Sequence, residues 1–149
     1  MRYLGLDLGT RTLGISLSDI THTIATSYKT IRFNEGDYDS LLGELKTIVD
    51  EFKVEKIVLG LPKNMNNSIG ERAQTTLDFG DKLRSYLNMP VEMQDERLST
   101  VEATNYMIAA DMSRKKRKVK VDALAANIIL QTYLDKEKGG NYERRNNDI

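Results

Sequence analysis

The chain has 149 residues, and its Lys+Arg and Asp+Glu counts are equal at 22 each, so the formal net charge is zero. A chain of this length with an ordinary apolar and charged content buries roughly 68–70% of its unfolded surface as one domain. The absence of cysteine excludes disulfides and thiolate zinc sites, and a single histidine, His22, argues against a His-rich metal site or a Ser-His-Asp triad. No apolar run approaches the ~18 residues of a membrane span. The first ten residues carry Asp7 inside their apolar stretch and lack a signal-peptide pattern. The expectation is a cytoplasmic protein with no membrane partner.

Residues 2–9 alternate, with Leu4, Leu6 and Leu8 in one phase and Tyr3, Gly5, Asp7 and Gly9 in the other, which predicts a strand. Residues 13–19 alternate again after Thr10-Arg11-Thr12, so a hairpin joins the two. A third strand fits 23–32, rich in Thr, Ile and Tyr. A helix fits 39–53 on the stripe Leu41/Leu42, Leu45, Ile48/Val49 and Phe52, with Asp37 or Asp39 placed to cap it. The apolar run 56–61, ending at Pro62, suits a buried strand. Ser68-x-x-Glu71 has the form of a capping box and opens a further helix. Residues 90–94 form a last strand, Ser99-x-x-Glu102 opens a helix to about 110, and 120–136 forms the final helix. The fold class is therefore α/β: a three-strand antiparallel meander continued by two parallel strands in one five-stranded mixed sheet, flanked by helices. The domain is expected over 1–138, with 139–149 a polar tail.

Three acids have settings suited to chemistry. Asp7 shares its strand face with Gly5 and Gly9, which leave room for an ion, water or phosphate; it also suits a strand-end Asp that takes hairpin N–H bonds. Asp95-Glu96-Arg97 stands at a strand end before a helix cap, where ligands bind in α/β sheets. Asp95 has the phase of Val91 and Met93 and Glu96 the opposite one; the strand ends there, so periodicity does not choose between them. Asp122 opens a helix on a stripe continued by Ala125/Ala126, Ile129 and Tyr133, and a carboxylate facing a core is costly unless paired or ligating a cation. Oxygen-only ligands suit Mg²⁺ or Mn²⁺, and two such ions about 3.5–4 Å apart serve phosphodiester cleavage without Cys or His.

The zero charge sum conceals a basic segment. Arg114-Lys115-Lys116-Arg117-Lys118 is unbroken, and no acid lies between Asp111 and Asp122. Such a run suits a solvated loop or a polyanion contact. Lys63, Arg97 and Arg11 are further candidates for phosphate contacts. His22 is expected as a surface residue of a hairpin.

Four blocks, Gly5–Asp19, Val58–Met65, Asp95–Thr100 and Lys120–Ala126, closing on Ile129–Leu134, together resemble the YqgF (RuvX) family of RNase H-like nucleases, over about residues 1–136. The resemblance implies an RNase H-like fold with the first strand central. It implies a metal-dependent endonuclease that acts on structured RNA or branched DNA, in pre-16S rRNA processing and ribosome biogenesis or in Holliday junction resolution. It implies Asp7, Glu96 and Asp122 as catalytic metal ligands, with Asp95 as the alternative to Glu96. The expected partners are nucleic acid and a ribosomal or pre-ribosomal particle, and the expected state is a monomer or homodimer. Two other readings stand beside it. One is a non-catalytic RNA- or ribosome-binding module on the same scaffold. The other is an actin-like nucleotide-binding domain, suggested by Asp7-Leu8-Gly9-Thr10 but lacking a second Asp-x-Gly-x-Gly loop.

Overall fold

The computed structural model describes residues 1–62, 70–95 and 124–137. Its elements are β1 (Arg2–Leu8), β2 (Thr12–Ser18), β3 (Ala25–Arg32), α1 (Asp39–Phe52), β4 (Val54–Leu61), α2 (Glu71–Leu87) and β5 (Val91–Asp95). A helix over 124–137, α3, follows. The five strands form one sheet in the order β3-β2-β1-β4-β5. β1 pairs antiparallel with β2 and parallel with β4, while β2–β3 is antiparallel and β4–β5 parallel. The expected mixed sheet, with its meander and central first strand, is present. The helix expected up to about residue 110 lies outside the described residues, as does the tail at 139–149.

The two strand phases sort the core into two layers. Leu4, Leu6 and Leu8 join Leu13, Ile15, Ile57 and Leu59 beneath Leu41, Leu45 and Ile48 of α1 and Phe79 and Leu83 of α2. The other phase, with Tyr3 and Val58, packs on Ile129, Leu130 and Leu134 of α3. Each fully buried Leu or Ile contributes roughly 1.5–3 kcal/mol of transfer free energy, so both helical layers are held by these rows. The close seat of α3 depends on Gly5: a Cβ there would lie 2.7 Å from Leu130 Cβ. Beside it, the Ser16 hydroxyl donates to the Ala126 carbonyl at 2.9 Å.

Three local expectations differ from what is observed. β3 starts at Ala25 rather than at residue 23, because Asp19 organises residues 19–24 as a turn. Its carboxylate accepts from the Thr23 and Ile24 N–H groups at 2.7 and 3.0 Å and from the Thr21 hydroxyl. The Ile24 amide foremost, with the Thr21 hydroxyl and Thr23 amide, holds this carboxyl well below the usual aspartate range. Neither Asp37 nor Asp39 caps α1; Tyr38 occupies the N-cap position without a side-chain bond. α2 opens at Glu71 with Gly70 as its N-cap, so Glu71 is the first helical residue and not the third, as a capping box from Ser68 would need.

His22 is not a plain surface residue. It stacks on the Tyr3 ring with centroids 3.9 Å apart, and its Nε2 lies 3.0 Å from Glu55 Oε1. Beyond Tyr3, Lys56 sits under two aromatic rings, 4.8 Å from the Tyr3 centroid and 5.4 Å from that of Tyr133. The Lys56 ammonium donates to Tyr133 Oη at 3.0 Å and faces Glu92 and Glu137 at 3.6 and 3.8 Å. The Tyr133 hydroxyl donates in turn to Glu92. Burial, followed by the bond to Glu92, pushes the Tyr133 phenol up to about 12. Burial works against the Lys56 charge, but Tyr133, Glu92 and Tyr3 outweigh it and raise this group above the usual lysine range.

For both groups the folded state holds the proton more tightly than the unfolded chain. Their stabilisation is complete below the unfolded values of about 10. That of Tyr133 is lost as pH rises toward about 12. A tyrosinate absorbance titration should show a late step from Tyr133. In Tyr133→Phe that late step should be missing and the alkaline fall in Tm shallower. An unaltered titration would remove Tyr133 from this cluster.

Candidate active site

Asp7 stands near the carboxyl end of the central strand, half-buried, on the face that α3 covers. Its direct partner on β2 is Gly14. On β4 the paired register ends one residue earlier, at Leu6↔Leu59. Gly5 and Gly9 lie two residues away on either side along the chain. Gly5, Gly9 and Gly14 carry no side chain on this face, and the carboxylate stands in a floor of glycines. Only the flanking pair, Gly5 and Gly9, was visible as a signal in the sequence; Gly14 becomes a neighbour through the register. A carboxylate is the hard oxygen donor that Mg²⁺ or Mn²⁺ takes. Among the described residues no group of three or more His, Cys, Asp or Glu side chains gathers to hold a metal. Glu96 and Asp122 lie outside those residues.

β4 lies between Asp7 on β1 and Asp95 on β5. A Cβ on Gly80 of α2 would meet Met93 and Val91, so the odd-numbered residues of β5 point to the α2 side. Glu92 reaches Tyr133 on the α3 side. Asp95 pairs with Leu61 and has the phase of Met93. It is exposed at the sheet end, in the phase opposite to that of Asp7.

Arg11 sits in the β1–β2 hairpin at the end of the sheet that carries Asp7. It is largely exposed, with its Nη2 3.6 Å from Glu35 Oε2. An exposed pair at this distance is screened by solvent and restrains the guanidinium little. Lys63, Arg97 and Arg114, Lys115, Lys116, Arg117 and Lys118 lie outside the described residues. One residue at this end was not singled out from the sequence. Arg72, in the first turn of α2, donates to the Leu8 carbonyl at 2.8 Å, one residue beyond Asp7.

The sheet order, the central first strand and the acid near its carboxyl end define an RNase H-like protein. RuvC of Thermus thermophilus, solved with a Holliday junction, superposes with a TM-score of 0.55 at 16% identity, over 93% of this chain and 96% of that one. A resolvase of fowlpox virus, solved with junction DNA, does so with a TM-score of 0.57 at 10% identity, over 91% and 98%. The sequence profile of the RuvX family, described as Holliday junction resolvase, matches residues 1–136, and the chain belongs to that family. A relative in Caldanaerobacter subterraneus subsp. tengcongensis is 49% identical over 139 residues, 93% of this chain and 99% of its own. One in Bacillus subtilis is 47% identical over 135 residues, 91% and 98% respectively. Both carry the name "Putative pre-16S rRNA nuclease". The expected family and fold are thus present, and the expected reaction class, hydrolysis of phosphodiester bonds, agrees with them.

Proposed function

We propose that this protein is a metal-dependent endonuclease that hydrolyses phosphodiester bonds in structured nucleic acid, with the 5′ end of pre-16S rRNA as its substrate. The observation that carries this reading is Asp7, half-buried in a glycine floor at the carboxyl end of the central strand of a RuvX-family chain. The names of the relatives support the RNA substrate. The family description supports a second reading, cleavage of a four-way DNA junction. That activity needs two nicks related by symmetry, and hence a homodimer, whereas rRNA processing is open to a monomer.

The ligands proposed for the metal are Asp7, Glu96 and Asp122. The phase of β5 supports Glu96 over Asp95, since Glu92 and Gln94, the even residues, share the α3 side with Asp7. The seat of α3 supports Asp122. Gly5 of β1 lies against Leu130 and Ala126. Asp7 lies two strand residues, ~6.6 Å, beyond Gly5, and Asp122 precedes Ala126 by four residues in the sequence. Asp7, Glu96 and Asp122 would hold the Mg²⁺ or Mn²⁺, which would supply charge stabilisation and an activated water for hydrolysis. The chain's own part is to fix the carboxylate oxygens, with Asp7 anchored in the middle of the sheet. Arg11, Lys63, Arg97 and the 114–118 run draw in and orient the phosphate backbone, contacts that position without reading sequence. The product carries a 5′-phosphate.

No described helix is long and apolar enough to cross a membrane. A cytoplasmic site of action, on a pre-ribosomal particle, belongs to this proposal, as does a nuclease domain over 1–138 with 139–149 as a tail. The match of the family profile to 1–136 supports that boundary.

Purified protein should cleave a 5′-extended pre-16S fragment with Mg²⁺ or Mn²⁺ and not with chelator. Binding without cleavage would favour the non-catalytic module. Neutralising Arg114 through Lys118 should flatten the salt dependence of nucleic-acid binding by roughly 0.7–0.9 for every phosphate that a removed cation had neutralised. An unchanged slope would place the backbone contacts elsewhere.

A further inference from the structure

The carboxyl end of β1 has a gap in its ladder, and the chain fills it from another element. Gly9 donates to the Thr12 carbonyl at 2.8 Å, which makes Gly9 and Thr12 a hydrogen-bonded pair of the β1–β2 hairpin. In an antiparallel ladder such pairs alternate with non-bonded ones. Leu8, opposite Leu13, is therefore in the non-bonded class, and its N–H and C=O point away from β2, toward β4. On that side the ladder is parallel. Its slant is visible where Arg2, the partner of Val54, donates to the Lys53 carbonyl, and where Ile57, the partner of Val91, donates to that of Pro90. By the same pattern a carbonyl accepts from the residue one beyond its partner. Carried two steps beyond Leu6↔Leu59, this register would set Leu8 against Leu61, and the N–H due to the Leu8 carbonyl would be that of residue 62. Residue 62 is proline and has no N–H. The β1–β4 pairing is seen as far as Leu6↔Leu59, while β1 runs on to Leu8 and β4 to Leu61.

The missing donor comes from α2. The Arg72 Nη2 reaches the Leu8 carbonyl at 2.8 Å. A neutral carbonyl that accepts from a guanidinium makes a stronger bond than a ladder N–H provides. The opening left by Pro62 lies between the two strands whose carboxyl ends frame the floor around Asp7.

We propose that Arg72 is a positioning residue of the nuclease site: it replaces the ladder donor that Pro62 lacks and so fixes the end of β1 on which Asp7 stands. Arg72 acts through Leu8, not on the phosphate. The reading rests on the proposed nuclease function for its effect on turnover, but the clamp itself is testable without activity.

The test is a cycle of Arg72→Gln, Pro62→Ala and the double variant in the full-length chain. Amide hydrogen exchange at Leu8 and Gly9 and steady-state cleavage are both measured. Arg72→Gln should speed exchange at these two amides and lower kcat about 10-fold, with KM and the salt slope of binding unchanged. Pro62→Ala restores an N–H at the position due to bond Leu8, so in the double variant exchange and kcat should both return toward wild type. Unchanged exchange in Arg72→Gln, or a double variant no better than Arg72→Gln, would overturn the clamp. So would a change confined to KM and salt slope, which would mark a direct bond to phosphate. If no variant and no wild-type sample cleaves, the nuclease reading fails, while the exchange data still decide the clamp.

Discussion

Asp7→Asn should abolish cleavage and leave the fold intact. The substitution keeps the size and shape of the side chain, so the half-buried position between Gly5 and Gly9 is filled as before. What changes is charge: an amide is a poor ligand for a hard divalent cation. Metal assistance contributes several kcal/mol of transition-state stabilisation, so the rate should fall on the order of 10³-fold or more. The Mn²⁺ affinity of the free protein, read by calorimetry, should fall with it. The thermal unfolding midpoint should move little, because the Leu4, Leu6 and Leu8 row that anchors β1 is untouched. Undiminished cleavage by this variant would remove Asp7 from the site.

Gly5→Ala should have the opposite profile, with stability lost first and activity lost through it. A Cβ at this position would stand 2.5 Å from Ser16 Oγ, 2.7 Å from Leu130 Cβ and 3.1 Å from the Ala126 carbonyl. Ser16 cannot swing aside without giving up its bond to Ala126, and Leu130 Cβ moves only with the helix backbone. The whole of α3 must therefore lift from the sheet. Overpacking of this kind costs typically 1–3 kcal/mol, about 2–4 °C in Tm per kcal/mol at this chain size. Because α3 covers the sheet face on which Asp7 stands, cleavage should fall further than the lost stability accounts for. Gly80→Ala is the contrast. There the Cβ meets the terminal methyl of Met93 at 2.6 Å, the far end of a flexible side chain. Alanine also gains about 1 kcal/mol of helix propensity over glycine, so Gly80→Ala should be close to neutral. Denaturant midpoints for the pair measure this, and equal losses would contradict the account of the α3 seat.

The sheet was legible because its strands obey a period of two, with leucine in one phase and glycine or polar residues in the other. Asp7 stood out for the same reason, as a charge set among glycines in an otherwise apolar strand. The start of β3 was not legible: Thr23 and Ile24 have strand propensity, but their amides bond to Asp19, an interaction between residues four and five apart that propensity does not contain. The stacking of His22 on Tyr3 was hidden similarly, since the two meet only after β1 and the β2–β3 turn are placed. Asp95 and Glu96 could not be told apart by pattern. The choice needs the direction of Val91 and Met93, which is set by their packing on α2. Arg72 carried no signal, because its role arises from the absence of an N–H at Pro62, on a strand distant in sequence.

The central claim is that a divalent metal held at Asp7 cleaves phosphodiester bonds. It is tested most directly by offering purified protein two substrates side by side, a 5′-extended pre-16S rRNA fragment and a four-way DNA junction. Each is run with Mn²⁺, with Mg²⁺ and with chelator, and the product ends are identified. The account predicts metal-dependent cleavage that leaves a 5′-phosphate, with the RNA as the better substrate and no cleavage by Asp7→Asn. Cleavage that survives chelation, or no cleavage of either substrate by wild-type protein with metal, would contradict it.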